Sequence, residues 1–128
     1  MKTVKELVAE ANAKITTVPV GEAIQLVRNP DVIFIDLRDS AELQTAGKVP
    51  GAVHANRGML EFYLDPTSPF HNPVFASGKK LLFYCAGGGR SALAAATAQM
   101  MGLDKVAHIG GGFKAWKEAG GPVERVCP

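Results

Sequence analysis

The sequence predicts an α/β fold in which helices flank a mostly parallel β-sheet. Two runs of β-branched, aromatic and aliphatic residues, 32–37 and 81–84, are apolar almost throughout instead of alternating with polar residues. Runs of this kind are typical of strands that are buried on both faces, as in a parallel sheet. Helical patterns lie between the predicted strands, and this alternation indicates a sheet with right-handed crossovers.

The first half of the chain contains two helical patterns before its first strand. Apolar residues at helical spacing predict an amphipathic helix over about the first dozen residues. A second helix is expected after Pro19, with its end at Asn29-Pro30. The elements that follow are a strand, a short polar helix, a turn and a short strand, at 32–37, 40–46, 49–51 and 52–55.

The second half begins with the least regular part of the chain, residues 57–80, which three prolines interrupt. A short helix is expected at 59–64, followed by a long loop, and loops of such length are often functional or mobile. The pattern leaves the role of this segment open. After it come a buried strand, an alanine-rich helix, a short strand and a closing helix, at 81–84, 90–101, 106–109 and around 113–119.

Composition indicates one globular domain and excludes several classes of partner. The chain has 128 residues, of which 47% are hydrophobic and 20% charged. A net charge of +2 with scattered basic residues argues against nucleic acid. No run approaches the roughly 20 apolar residues of a membrane span, and the N-terminus lacks the features of a signal or transit peptide. We therefore expect a cytoplasmic protein with no membrane partner, whose two cysteines are thiols.

Cys85 occupies the position where chemistry is expected in such a fold. It follows the buried strand at 81–84 and precedes a helix, and ligands gather beyond the carboxyl ends of parallel strands. The glycines at 87–89 let the backbone curl so that several N–H groups form an anion cradle. The helix N-terminus adds partial positive charge, so the thiol should ionise readily. A small core cysteine beside an ordinary turn is the alternative interpretation, but the combination with Arg90 favours a functional site.

The same cradle suits a persulfide, whose outer sulfur is an anion. Charge-assisted hydrogen bonds contribute on the order of 1.5–3 kcal/mol each, so several of them could hold a reactive sulfur without a cofactor. Arg90 offers a fixed charge and planar donors to an oxyanion. No metal is expected, because His54, His71 and His108 lack ligand spacing with either cysteine. His108 follows a strand pattern and is interpreted as a core residue.

Three stretches of the chain resemble signatures of the rhodanese family. Residues 83–91, Phe-Tyr-Cys-Ala-Gly-Gly-Gly-Arg-Ser, are similar to the family's active-site loop. Residues 35–52 resemble its first motif, although Lys48 stands where the family usually has histidine, and residues 111–123 resemble its closing motif. The similarity covers about 15–123, so we expect an N-terminal helical extension at 1–14 and a rhodanese-like domain at 15–128.

The resemblance implies a three-layer domain with a five-stranded, mostly parallel sheet. It also implies a sulfurtransferase that moves sulfane sulfur from a donor such as thiosulfate to cyanide or a thiol. The expected partners are therefore a small anionic donor, a thiol or cyanide acceptor and, as a further option, a sulfur-accepting protein. Cys85 would be the nucleophile, and the persulfide would be held by the loop that follows it, made of Ala86, Gly87, Gly88, Gly89, Arg90 and Ser91.

Three further residues are candidates for supporting roles around the loop. Asp36 and Arg38 end a strand beside it, and we expect them to brace the loop rather than touch the substrate. Arg57 begins the irregular segment and could reach an anionic donor, although a solvated surface arginine is the simpler interpretation. Arg90 itself could either orient the loop or bind the donor's oxyanion.

Two rival functions use a similar site. Cysteine-dependent phosphatases and arsenate reductases have a comparable cradle, but their loops place one more residue between cysteine and arginine than the four found at 86–89. The shorter loop favours a single sulfur over a tetrahedral oxyanion. A non-catalytic sulfur carrier or regulatory module is the second rival, and an intact Cys85 does not distinguish it from an enzyme. Cys127 lacks a flanking cradle and is expected to be dispensable, with a resolving thiol as the alternative.

Overall fold

A five-stranded sheet forms the centre of the computed structural model, which describes residues 1–126. Every pair of neighbouring strands is parallel, and the strand order is β1-β5-β4-β2-β3. The predicted α/β class and the five-stranded sheet are therefore confirmed. The strands are β1 (Thr16–Val18), β2 (Val32–Asp36), β3 (Val53–His54), β4 (Lys80–Tyr84) and β5 (Val106–Ile109).

Helices cover both faces of the sheet. On one face α5 packs on the sheet, with α1 and α4 against it, whereas α2 and α6 pack together on the other face. The alternation along β4 explains this division, because Leu81 and Phe83 face one layer and Leu82 and Tyr84 face the other. The helices are α1 (Val4–Lys14), α2 (Val20–Gln25), α3 (Ser40–Ala46), α4 (Leu60–Leu64), α5 (Gly89–Met100) and α6 (Gly112–Glu118).

The helix at the N-terminus forms where the sequence predicts it. Thr3 accepts a hydrogen bond from the Glu6 backbone, and the Glu6 side chain reaches back to the Thr3 backbone, which is a capping box. Helix α3 also starts and ends as predicted, and the Glu42 side chain accepts from the Asp39 N–H at 3.1 Å. None of the helices within residues 1–126 is long and apolar enough to cross a membrane.

One predicted boundary was wrong, and one predicted loop contains a helical turn. Helix α2 ends at Gln25, well before Asn29-Pro30, because the chain after it tightens into turns in which Leu26 N–H donates to the Ala23 carbonyl. The stretch after α4 is not a plain loop, since Pro73–Ala76 forms a 3₁₀ turn. Proline is favoured at the first position of such a turn, and the Asn72 side chain caps it by accepting from Val74 N–H.

Strand β1 was not identified from the hydrophobic pattern. It has only three residues, of which Val18 alone is buried, and it lies at the edge of the sheet beside β5. Because few residues of a short edge strand are buried, its sequence does not need a run of apolar residues. The available signal was the β-branched sequence Ile15–Val18 directly before Pro19.

Candidate active site

Cys85 lies at the carboxyl end of β4, as the sequence predicts, and its side chain is only 1% exposed. The chain then passes through a short loop to Gly88, the residue before α5 begins. Gly88 has a φ of 107°, a left-handed conformation that a residue with a Cβ rarely adopts. Glycine at this position therefore allows the loop to turn back over the cysteine.

The loop directs backbone donors at the Cys85 sulfur. The N–H groups of Gly88 and Ser91 donate to Sγ at 3.2 and 3.4 Å, and the Ser91 hydroxyl lies 3.6 Å from the same atom. These donors sit at the positive end of α5, so the site favours a negatively charged sulfur. In this structure the amides of the other loop residues make no hydrogen bond to Sγ; these residues are Ala86, Gly87, Gly89 and Arg90.

The N-terminus of α6 fixes the other side of the loop. Phe113 N–H donates to the Cys85 carbonyl at 2.8 Å, and Lys114 N–H donates to the Ala86 carbonyl at 3.0 Å. Gly112 makes this approach possible, since a Cβ there would lie 2.6 Å from both carbonyl oxygens. The closing motif thus holds the cysteine loop in place, a role that the sequence analysis did not assign to it.

Arg90 is committed to an ion pair at the edge of the loop. Its Nη1 and Nη2 donate to the two carboxylate oxygens of Glu42 at 2.8 and 3.0 Å. The hydrogen bond from Arg90 is the main cause that lowers the pKa of Glu42 to about 2, and the same bond raises the pKa of Arg90. In this structure the guanidinium is therefore bound by a carboxylate of α3.

Asp36 and Arg38 form a buried pair beneath the site. Arg38 Nη2 donates to Asp36 Oδ2 at 2.7 Å and to the Gly47 carbonyl at 2.7 Å. Tyr84, the residue before Cys85, donates its hydroxyl to Asp36 Oδ2 at 2.6 Å, and burial is the main cause that raises the pKa of this phenol. The pair thus braces the Gly47 turn and Tyr84, with no hydrogen bond to the cradle among the described residues.

Arg57 makes no hydrogen bond to the loop after Cys85 within the described residues, which fits the simpler interpretation of a surface arginine. Its guanidinium lies 3.0 Å from Glu61 and 3.5 Å from the Thr97 hydroxyl. Thr97 is six residues beyond Ser91 on α5, or about 9 Å along the helix axis. In this structure the Arg57 guanidinium is therefore paired with Glu61, four residues further along the chain.

His108 was interpreted as a core residue, and the structure adds a polar role to that interpretation. It is 2% exposed, and its Nδ1 lies 2.9 Å from the Ser91 hydroxyl that contacts Cys85. Its Nε2 lies 3.1 Å from Asn12 Oδ1 and 3.1 Å from Thr17 Oγ1. The sequence gave only a weak indication of this polar role, a histidine within an otherwise apolar strand, because the partners of His108 come from three separate elements.

A cavity of about 610 Å³ adjoins the loop between α3 and α6. Its walls are largely apolar, with Phe113 and Ala46 among them, and the Ala86 side of the loop forms part of the lining. Lys114 and Lys117 add positive charge at this cavity. It has room for a small molecule, and the sequence pattern gave no indication of it. Cys127 lies outside the described residues.

A protein-family model described as "Rhodanese-like domain" matches residues 19–119. Among curated proteins, the chain is 31% identical over 110 residues to thiosulfate sulfurtransferase GlpE of Actinobacillus succinogenes, covering 85% of this chain and 90% of that protein. It is 27% identical over 100 residues to the mouse thiosulfate sulfurtransferase/rhodanese-like domain-containing protein 3. That match covers 74% of this chain and 64% of the mouse protein.

A solved structure from Rhodopseudomonas palustris is more similar still. The protein RPA3614, described as of unknown function and as a possible tyrosine phosphatase, has a TM-score of 0.94 and 52% sequence identity to this chain. The match covers 97% of this chain and 96% of that one. Since the family model spans most of the sequence and the predicted fold is confirmed, the chain belongs to the rhodanese-like domain family.

Proposed function

We propose that this protein is a sulfurtransferase that carries sulfane sulfur as a persulfide on Cys85. The observation that carries the proposal is the environment of Sγ, a buried sulfur that accepts two backbone N–H donors at the N-terminus of α5. Donors fixed in this way favour an anion and require no metal or cofactor to supply charge. An ionised sulfur is both the nucleophile and the leaving group that sulfur transfer needs.

The reaction divides into two displacements. In the first, the Cys85 thiolate attacks the outer sulfur of a donor such as thiosulfate, an S–S bond forms to Sγ, and sulfite leaves with the electron pair of the broken bond. In the second, cyanide or a thiolate attacks the outer sulfur of the persulfide and the Cys85 thiolate is restored. The intermediate predicts ping-pong kinetics.

The unused amides of the loop are the expected contacts of the outer sulfur. Gly87 is exposed, so the cradle meets solvent there, whereas Gly88 and Ser91 are buried against Sγ. The amides of Ala86, Gly87, Gly89 and Arg90 remain available to a persulfide that extends outward from Cys85. Thiosulfate as the donor is supported by the names of the curated relatives, and the chain spans 90% of one of them.

A phosphatase is the second candidate, because a structure with 52% identity is described as a possible tyrosine phosphatase. Two observations weigh against it. The loop has four residues between Cys85 and Arg90, which makes a smaller cradle than a phosphate dianion needs. In addition, both outer nitrogens of Arg90 are bonded to Glu42, so a phosphate would have to displace this carboxylate to bind the guanidinium. We expect negligible hydrolysis of an aryl phosphate, and robust hydrolysis would reverse the order of the two candidates.

Intact-protein mass spectrometry tests the proposal directly. Incubation with thiosulfate should make the protein heavier by one sulfur atom, located on Cys85, and cyanide should remove the added mass. Cys85→Ser should abolish the gain, whereas Cys127→Ser is the matched control and should keep it. Sulfur uptake by a folded Cys85→Ser protein would disprove the proposal. A persulfide that forms but turns over only with a protein acceptor would indicate a sulfur carrier.

A further inference from the structure

A continuous line of hydrogen-bonding groups leads from the surface to the buried sulfur. It runs from Asn12 on α1 and Thr17 on β1 through His108 on β5 to Ser91 on α5, and ends at Cys85. The two outer residues are exposed, whereas His108, Ser91 and Cys85 are buried. The line approaches the sulfur from the face of the sheet covered by α1 and α5, opposite the face that holds α2 and α6.

The partners of His108 determine which ring nitrogen carries the proton. Asn12 Oδ1 only accepts, so Nε2 is the protonated nitrogen that donates to it at 3.1 Å. Nδ1 of the neutral ring is then an acceptor, and the Ser91 hydroxyl donates to it at 2.9 Å, a shorter distance than the 3.3 Å to the Gly88 carbonyl, its other acceptor. The lone pairs of the Ser91 oxygen are therefore directed to other neighbours, one of which is the Cys85 thiol at 3.6 Å.

This arrangement gives the thiol proton a defined path. We propose that His108 is a positioning residue that keeps Cys85 ionised by taking its proton through Ser91, with Asn12 of α1 holding the imidazole in the accepting tautomer. The S–H bond of Cys85 breaks as its proton passes to the Ser91 oxygen, and the original hydroxyl proton of Ser91 passes to Nδ1. No electrons are gained or lost, and a thiolate and an imidazolium result. The Ser91 hydroxyl can then donate to the thiolate together with the two backbone amides.

The Cys85 thiolate is the counter-charge that an imidazolium at His108 would need. Burial lowers the pKa of His108, so the ring is neutral before the transfer, and the thiolate held by the amides of Gly88 and Ser91 must offset the cost of burying the imidazolium. Among the described residues, no charged side chain hydrogen-bonds with His108. The charged residues of the elements packed around it are either paired elsewhere or exposed, and they are Lys5, Glu6, Glu10 and Lys14 on α1, Lys80 on β4 and Arg90 on α5.

Helix α1 thereby gains a role in the site. It lies outside residues 19–119, which the family model matches, yet it supplies Asn12, and its Val8 lies against the start of α5 at Gly89. The inference rests on the proposed function only in taking Cys85 as the reactive thiol. It predicts a property of the resting thiol, which can be measured without any sulfur donor.

The test is the rate at which iodoacetamide alkylates Cys85 as a function of pH, in a Cys127→Ser background. His108→Asn places an amide oxygen near the position of Nδ1, so it can accept from Ser91 but cannot take up a proton. We expect the midpoint of its rate profile to move to higher pH by about one unit, which is about a tenfold slower reaction near neutral pH. Asn12→Ala, on the exposed helix, should move the midpoint in the same direction by a smaller amount. At alkaline pH, where every thiol is ionised, all rates should converge.

Controls separate this role from a structural one. His71→Asn removes a histidine whose Nδ1 bonds to the Tyr63 carbonyl at 2.9 Å, away from the loop, and should leave the profile unchanged. A misfolded or displaced site would slow alkylation at every pH, including alkaline pH, and that result would overturn the proposal. An unchanged midpoint in both His108→Asn and Asn12→Ala would also overturn it. The alkylation rates could respond to these variants as expected while the protein takes up no sulfur from thiosulfate. That result would support this inference and contradict only the proposed sulfurtransferase function.

Discussion

Arg90 and Glu42 form a two-point ion pair that joins the end of the cysteine loop to helix α3. Their side chains are 38% and 34% exposed, so water screens the pair, and its contribution to stability should be about 1 kcal/mol. This ion pair decides which of the two expected roles, orienting the loop or binding the donor, suits Arg90 better. A guanidinium with both outer nitrogens engaged is a brace for the loop, and an anionic donor would have to compete with Glu42 for it.

The first prediction compares Arg90→Ala with Glu42→Gln. If Arg90 is a brace, both variants should lower the free energy of unfolding by similar amounts and leave the KM for thiosulfate within about threefold of wild type. Arg90→Ala that raises the KM about tenfold while Glu42→Gln leaves it unchanged would show that Arg90 binds the donor instead.

The same pair predicts a pH dependence of stability. The pKa of Glu42 is lowered to about 2 from an ordinary value of 4.5, so its stabilising contribution is fully present above pH 4.5 and is lost as the pH falls toward 2. Wild type should therefore be more stable than Glu42→Gln at neutral pH, and the difference should vanish in strong acid. Urea unfolding of the two proteins across this pH range measures the effect.

The third prediction concerns the buried network under Cys85. Asp36→Asn would leave Arg38 as a buried charge without its partner, which typically costs about 3–5 kcal/mol. Tyr84→Phe removes the hydroxyl that donates to Asp36 and accepts from Val49 N–H at 3.1 Å, so we expect a loss of about 1–3 kcal/mol. Tyr63→Phe is the matched control, because its hydroxyl bonds to Asn56 in a half-buried position and should matter less. If Tyr84→Phe and Tyr63→Phe lower the free energy of unfolding by equal amounts, the stabilising role given to the bond between Tyr84 and Asp36 is contradicted.

The parts of this structure that the sequence predicts are those that local patterns specify. The apolar runs at β2 and β4, the apolar strand β5 and the polar start of α3 each depend on neighbouring residues, and all lie within a residue or so of their predicted positions. The position of Cys85 between a buried strand and a glycine turn is also a local property. For this reason the nucleophile and its loop could be proposed before any tertiary structure was known.

The relationships that shape the site are not local. Arg90 meets Glu42 48 positions away, and His108 meets Asn12 96 positions away. No spacing rule links such pairs, since they depend on which helix covers which face of the sheet. From the sequence, Arg90 could therefore be expected either to orient the loop or to bind the donor's oxyanion, and His108 could be interpreted only as a core residue.

The fourth prediction tests whether activity depends on the close contact between α6 and the cysteine loop. Gly112 has a φ of 62°, and a Cβ there would lie 2.6 Å from the carbonyl oxygens of Cys85 and Ala86. Gly112→Ala should push the loop away from α6 and reduce thiosulfate uptake by at least about tenfold, because misplacement by an ångström can cost more than that. Gly51→Ala is the matched control. Its φ is 77°, but nothing lies within 4 Å of the added Cβ, so it should cost about 1–2 kcal/mol of stability and keep activity. Full activity in Gly112→Ala would show that the loop does not need this contact.

The last prediction is that Cys127 is dispensable for sulfur transfer to cyanide. A resolving thiol must bring its Cα within about 7 Å of the Cys85 Cα and meet the sulfur in disulfide geometry. Cys85 is 1% exposed and its Sγ is held by the amides of Gly88 and Ser91, so an internal disulfide would have to pull the sulfur out of its cradle. Three residues before Cys127, the backbone of Glu124 is bonded to Lys48 in both directions, at 2.8 and 2.9 Å, which fixes the chain at Glu124. Steady-state transfer to cyanide should therefore stay within about twofold of wild type in Cys127→Ser. A large loss of turnover, or a Cys85–Cys127 disulfide found by mass spectrometry after sulfur release, would instead identify Cys127 as the resolving thiol.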